Sequence, residues 1–325
     1  MGQLAAGNGG GIANSGTLSI TDSTFSTNAT TGGSVGMFAG IGDGGGIENS
    51  GTLSLTNSTL SGNLANDSGG GIADSGTVSI SYVTADDNAA TTGGGVAITS
   101  GAESVVASID SIFQNTQGGN VSVAAGSFHS SGHNLFSDTP GVSVDPTDLV
   151  NTDPMLGPLA NNGGPTLTQA LLPGSPALDA GIPVPGITTD QRGGLRPSSG
   201  ATDIGAFQVQ PPLTVVSLVR SGTGHKPTAL VLTFNLPLDA VRAESLANYG
   251  LVQAGDSSVI SIRSARYNAA SQSVTLRPKP RLSPTQTYVL TVIGTPPGGL
   301  TTTLGAYLAG AGAGQPGTNY VASFA

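Results

Sequence analysis

The sequence predicts an all-β chain: a right-handed parallel β-helix followed by one small β-sandwich. Three observations carry this. A Gly-rich repeat returns several times in the first 115 residues, apolar residues inside it stand two apart, and the texture of the chain changes at Pro211. Composition agrees. Of 325 residues 51 are Gly, 9% are charged and 4% aromatic, and Trp and Cys are absent. Such chains favour turns and short strands. The one helical-looking stretch is Asp239–Leu246.

The repeat reads GGGIANSGTLSITDSTFSTN from Gly9, GGGIENSGTLSLTNSTLSGN from Gly44 and GGGIADSGTVSISYVTADDN from Gly69, with a degenerate copy from Gly93. The first two share 15 of 20 residues, and successive starts lie 35, 25 and 24 residues apart. The longer first interval holds an insertion near 31–40, expected to be a loop. Repeats of this length build solenoids. Leu18 and Ile20, Leu53 and Leu55, and Val78 and Ile80 keep strand spacing, not helix spacing. Phe25 and Leu60 supply a second apolar point, and Ile12, Ile47, Ile72 and Val96 a third. Three short strands per coil follow, with the GGG runs at tight turns.

Polar residues recur in register too. Asn14, Asn49 and Asp74 share one position; Asn28, Asn63, Asn88 and Asn115 share another. Stacked coils place each set in a column, where amides bond coil to coil and satisfy turn groups. These seven residues are read as structural ladders and not as ligand-binding rows.

The GGGI…NSGT repeats resemble those of bacterial β-helix surface proteins, including the polymorphic outer-membrane family. Residues 134–208, with DPMLGPLANNGGPT, LLPGSPALDAG, DQRGGLRP and DIGAFQ, resemble the choice-of-anchor Q region of such proteins. That resemblance implies a pectate-lyase-like solenoid over 1–133, its C-terminal part and cap over 134–210, and attachment at a cell surface. Arg192 and Arg196 are expected to pair there with Asp179, Asp190 or Asp203. From Pro211, TVVSLV, ALVLTFN, SVISIRSARY, QSVTLRP and TYVLTVIG alternate apolar and polar residues between turns, which predicts six or seven sandwich strands over 211–325. LTFNLPLDAVRAESLANYGL with ARYNAASQSVTLRP resembles bacterial Ig-like modules.

Charge divides the same way. Residues 1–210 carry 16 acids against Arg192 and Arg196, whereas 211–325 carry eight bases against three acids. An acidic repeat body is a poor partner for nucleic acid. No run is apolar enough to span a membrane, and Met1 opens no signal peptide. An export signal is therefore expected upstream, lost with a missing N-terminus. The location expected is extracellular or the bacterial surface.

Parallel β-helices also carry polysaccharide lyases and hydrolases, which need catalytic groups on their coils. Asp86-Asp87, Ser131-Gly132-His133 and Asn151-Thr152-Asp153 resemble polygalacturonase motifs, but in the wrong chain order and without a later Arg-Ile-Lys. Adjacent Asp86 and Asp87 on a strand would point to opposite faces, and glycoside hydrolysis needs two carboxylates across one bond. Residues 1–150 contain no Arg or Lys to serve as a lyase base. His129 and His133 lack a third zinc ligand. No catalytic residue, cofactor or metal is assigned, with calcium at Asp86 and Asp87 the one candidate ion. The expectation is a non-enzymatic stalk with an Ig-like spacer whose partners are glycans, cell-envelope polymers or surface proteins. The alternative is a carbohydrate-active enzyme whose catalytic coils lie outside this chain. Ligand, anchor and oligomeric state are not set by the sequence.

Overall fold

The computed structural model describes residues 7–32, 42–115, 117–222, 228–255, 258–310 and 315–325. Most of the insertion expected near 31–40 lies outside them. The chain divides into two compact units, 1–210 and 211–325, each described by itself.

The first unit is a parallel β-solenoid of about four turns. One face stacks Ile12–Asn14, Ile47–Asn49, Ile72–Asp74, Val96–Ile98 and Val121–Val123, all parallel. A second stacks Thr17–Thr21 on the first halves of Thr52–Ser61 and Thr77–Asp86, then Val105–Ile109 and Ser127–Ser130. A third stacks Thr24–Ser26 on the second halves of the same two long strands, then Ile112–Gln114 and Leu135–Phe136.

Register comes from the apolar columns expected from the repeat. Ile12 pairs with Ile47, Ile47 with Ile72, and Ile72 with Val96. Phe25 lies beside Leu60, Leu60 beside Ala85, Ala85 beside Phe113 and Phe113 beside Phe136. A slip of one residue would turn every one of these side chains outward, so burial fixes the pairing. The column ends in an aromatic cluster. Phe113 and Phe136 stack at 5.1 Å, and Phe128 stands edge-on to both, at 6.3 and 6.2 Å.

Each corner of the coil is a column of left-handed backbone. The first Gly of each GGG run, at Gly9, Gly44, Gly69 and Gly93, has φ between +60° and +67°. The second Gly answers a different need: a Cβ on Gly45 would lie 2.5 Å from the Gly70 carbonyl oxygen. The other two corners are built largely without glycine. Asp22, Asn57, Tyr82, Asp110 and His133 form one, with φ of 44–54°, and Thr27, Gly62 and Asp87 the other. Single left-handed residues are strained unless their surroundings hold them.

Residues 134–210 do more than finish the last coil. Val142 packs on the end of the solenoid core. The chain then runs back along the outside of the corner at Asp22, Asn57, Tyr82 and Asp110, reaching the first coil, where Thr24 donates to the Leu167 carbonyl and Thr166 to that of Asp22. Its one hairpin pairs Leu156–Ala160 with Thr168–Leu171. We call residues 154–208 the strap.

The second unit holds two antiparallel sheets. Val215–Ser221, Ala229–Phe234, Ser273–Pro278 and Ile262–Asn268 form one in that order; Tyr249–Gln253, Tyr288–Val292 and Tyr320–Phe324 form the other. Leu230, Leu232, Val274 and Leu276 from the first share a core with Leu251, Leu290 and Val292 from the second. The helical stretch is a single short helix, Ala240–Glu244, capped by Asp239, whose carboxylate accepts from the Arg242 amide at 2.9 Å. No helix among the described residues is long and apolar enough to cross a membrane.

Candidate functional site

The Asn positions form two hydrogen-bonded rows. In the longer, Asn28 Nδ2 donates to Asn63 Oδ1 at 2.9 Å, Asn63 to Asn88 at 2.8 Å and Asn88 to Asn115 at 3.0 Å. Each acceptor oxygen also takes the backbone N–H of the preceding rung, at 3.0–3.1 Å. The second amide hydrogen of Asn63 and of Asn88 goes to the carbonyl of Phe25 and of Leu60, both at 3.0 Å. An inner rung thus donates twice and accepts twice, which uses the side chain fully. The row continues to two residues that the repeat did not reveal: Asn115 donates to Asn120 at 3.0 Å, and Asn120 to Asp138 at 2.8 Å. In the shorter row Asn14 donates to Asn49 and Asn49 to Asp74, each at 2.7 Å. Both rows end on an Asp, because a carboxylate accepts and passes nothing on. Burial raises the Asp74 carboxyl above its ordinary range, against the Asn49 hydrogen bond that lowers it.

The strap motifs are the partners of the corner column. Asp190 Oδ2 meets Arg192 at 2.7 Å, and Oδ1 accepts the backbone amides of Arg192 and Gly194 at 3.0 and 2.7 Å. The Arg192 guanidinium lies 3.6 Å above the Phe207 ring. Gln191 reaches the coils, accepting from Thr59 Oγ1 at 2.6 Å and donating to Thr24 Oγ1 at 2.8 Å. Gly205 is required on two counts: its φ is +92°, and a Cβ there would lie 2.7 Å from Ile112 Cδ1. The expected ion pair of Arg192 is present. Arg196 departs from expectation and makes no carboxylate contact among the described residues. It stacks 3.7 Å over the Tyr82 ring and donates to the carbonyls of Gly205, Asp203 and Thr189 and to Asn57 Oδ1. Desolvation lowers its pKa, while Tyr82, Asp190, Asp203 and Asp110 act to raise it. Both arginines of the unit are therefore buried, at 8% and 5% exposure.

Asp110 lies under the strap with Oδ1 accepting from Ile182 N at 3.1 Å and Oδ2 without a hydrogen-bond partner. Burial raises its carboxyl to about 6, although the Ile182 amide, His133 and Arg196 all lower it. His129 and His133 are not brought together as a pair. His129 faces Ser127 at the surface, whereas His133 Nδ1 lies 2.9 Å from the Ala180 carbonyl.

Asp86 and Asp87 differ from the strand expectation. Asp86 closes the strand, and Asp87 is a left-handed corner residue, φ 54°, so alternation of faces does not apply across them. Asp86 lines a groove of about 480 Å³ between the solenoid and the strap hairpin, and Asp153 lines it too. Gln169 donates to Asp86 Oδ2. Desolvation raises the Asp86 carboxyl, Asp87 raises it further, and the Gln169 hydrogen bond lowers it. Asp153 Oδ1 holds the Met155 amide at 2.8 Å. Among the described residues no group of three or more His, Asp or Glu is placed to hold a metal ion.

No family model matches the chain, and no curated protein matches it. Solved structures of the surface layer protein SbsC do. Its domains 1–6 match at 17% identity over 35% of this chain and 14% of that one, with a TM-score of 0.27. The S-layer protein rSbsC(31-844) matches at 17% identity over 34% and 13%, also at 0.27. The chain thus spans 14% and 13% of the length of these proteins. At this TM-score the likeness carries no argument about fold or function.

Proposed function

We propose that this chain is a non-enzymatic exported protein of the bacterial surface or its surroundings. In this reading a right-handed, pectate-lyase-like β-helix with a choice-of-anchor Q strap serves as a rigid stalk and interaction surface, and an Ig-like module as its spacer. The observation that carries it is the fate of the unit's cations. Arg192 and Arg196, the only Arg or Lys in residues 1–210, are both buried, Arg192 within the strap and Arg196 between strap and solenoid. A lyase that used arginine as its base would need it accessible at the scissile unit, and neither arginine is. The amide rows support the same reading, because they tie coil to coil with neutral groups whose hydrogen-bonding capacity is already used.

A second reading, a carbohydrate-active enzyme, draws on Asp86 and Asp153 sharing one groove. Incubation of the intact chain with soluble polysaccharides, polyuronides included, separates the two. The scaffold reading expects no new oligosaccharide by mass spectrometry with calcium present. A reproducible product, lost in Asp86→Asn, would replace it with the enzyme.

A further inference from the structure

We infer that a basic corner of the second unit docks on the acidic solenoid of another copy of this chain, so that copies join head to tail. The inference stands apart from the choice between scaffold and enzyme. Residues 211–325 carry eight bases against three acids, and the fold gathers Arg263, Arg277, Lys279 and Arg281. Ser264 pairs with Arg277 and Ile262 with Pro278, and Arg263 is the extra residue of the bulge between them. The Lys279 amide donates to the Ser261 carbonyl at 2.8 Å, which brings Lys279 to the same strand ends, and Arg281 follows two residues on. All four side chains are exposed, while Leu282 anchors the segment in the core. Pro278 and Pro280 fix φ along it, so less freedom is lost when its bases are engaged. Of the described acids of this unit, Glu244 faces Arg266 at 3.8 Å and Asp239 caps the helix. None of the four bases makes an ion pair among the described residues.

The first unit is the complement. Both its arginines are buried, so no Arg or Lys side chain answers its exposed acids. Asp43 and Asp67 lie on neighbouring coils, where the Asp67 amide donates to the Gly42 carbonyl at 3.0 Å. Glu48 stands on the adjoining face between Ala13 and Ala73. All three acids are half-exposed. Burial and then Asp67 raise the Asp43 carboxyl, and burial and then Asp43 raise that of Glu48. Like charges held together in this way favour a partner that brings bases. A small anion would answer the basic corner and leave these acids as they are, whereas a second copy answers both. Corner and acidic face are different surfaces, so the contact is heterologous and each copy keeps one of each free. Such a contact closes into a ring or continues as a filament.

The test is sedimentation velocity on the full chain at pH 7, over a concentration series at about 0.02 M and about 0.5 M salt, which differ several-fold in screening length. At low salt the weight-average mass is expected to rise with concentration and to pass that of a dimer. At high salt it should return to that of the monomer. Lys279→Glu with Arg281→Glu, and separately Glu48→Lys with Asp67→Lys, are each expected to weaken association by about tenfold or more. Mixed in equal amounts, the two variants should associate again, because each then meets opposite charge on the other. A chain that stays monomeric at low salt would overturn the inference, as it would if the corner met the solenoid of its own chain. So would a mixture that associates no better than its parts, or association indifferent to salt and to both pairs of substitutions. Polygalacturonate bound saturably by a chain that does not self-associate, and released by Lys279→Glu with Arg281→Glu, would give the corner to an acidic polysaccharide instead.

Discussion

The coils and the strap bury polar groups in opposite ways. In the coils one neutral amide is used repeatedly, and Asn63 and Asn88 have the same partners one coil apart. In the strap each polar group is used once. Asp190 serves Arg192, Gly194 and Gln208, Arg196 serves Tyr82 and Asn57, and no second copy of either arrangement exists among the described residues. A repeated neutral rung spreads its energy along the rod, whereas a unique buried charge concentrates it. Damage to the strap should therefore cost more than damage to a rung.

The largest effect is expected at Asp190. Asp190→Ala leaves Arg192 buried without its carboxylate and strips the Gly194 and Gln208 amides of their acceptor. Breaking a buried pair from one side costs about 3–5 kcal/mol. Calorimetry should show the transition of residues 1–210 falling while that of 211–325 holds. Equal shifts in both would contradict the division between the units.

Asp110 gives a smaller effect with a pH signature. Its carboxyl stands at about 6 in the folded chain against an ordinary 3.8. The folded state therefore holds the proton more tightly than the unfolded one. Stability from this group is complete below about pH 4 and is lost as pH rises through about 6. The difference is on the order of 2–3 kcal/mol. Asp110→Asn keeps an oxygen for the Ile182 amide and should flatten denaturant-measured stability between pH 4 and pH 7. An unchanged slope would place the titration elsewhere.

Rungs are expected to cost less, and by position. Asn88→Ala removes the acceptor of two Asn63 donors and should cost about 1–3 kcal/mol. Asn28→Ala removes a half-buried end rung and should cost under about 1 kcal/mol. Equal losses at the two positions, in urea unfolding, would show that the row does not act as stacked, additive rungs.

The same contrast explains what could be read from the sequence. Contacts between equivalent positions, such as Ile47 with Ile72 or Leu60 with Ala85, follow from periodicity, because a solenoid pairs each residue with its own repeat. Contacts without a period leave no such trace. Gln191 meets Thr59 and Thr24, and Arg196 meets Tyr82, across more than a hundred residues of unrelated sequence. The row endings Asn120 and Asp138 fall after the repeat has degenerated. The sequence predicts an acid beside Arg196, but carbonyls and an aromatic face solvate a guanidinium as well. The grouping of Asp86, Gln169 and Asp153 depends on the path of the strap, which no local pattern encodes.

The central claim is that strap and coils form one rigid body. Hydrogen exchange on the intact chain tests it most directly, read at amides inside 52–60 and 78–85 and, in the strap, at the hydrogen-bonded amides of Gln191, Thr202, Ile204 and Gly205. The account predicts that these strap amides exchange with the same high protection as those of the coils, because the strap is bonded along the coils from Thr24 to Asp110. Protected coils beneath a strap that exchanges orders of magnitude faster would contradict it.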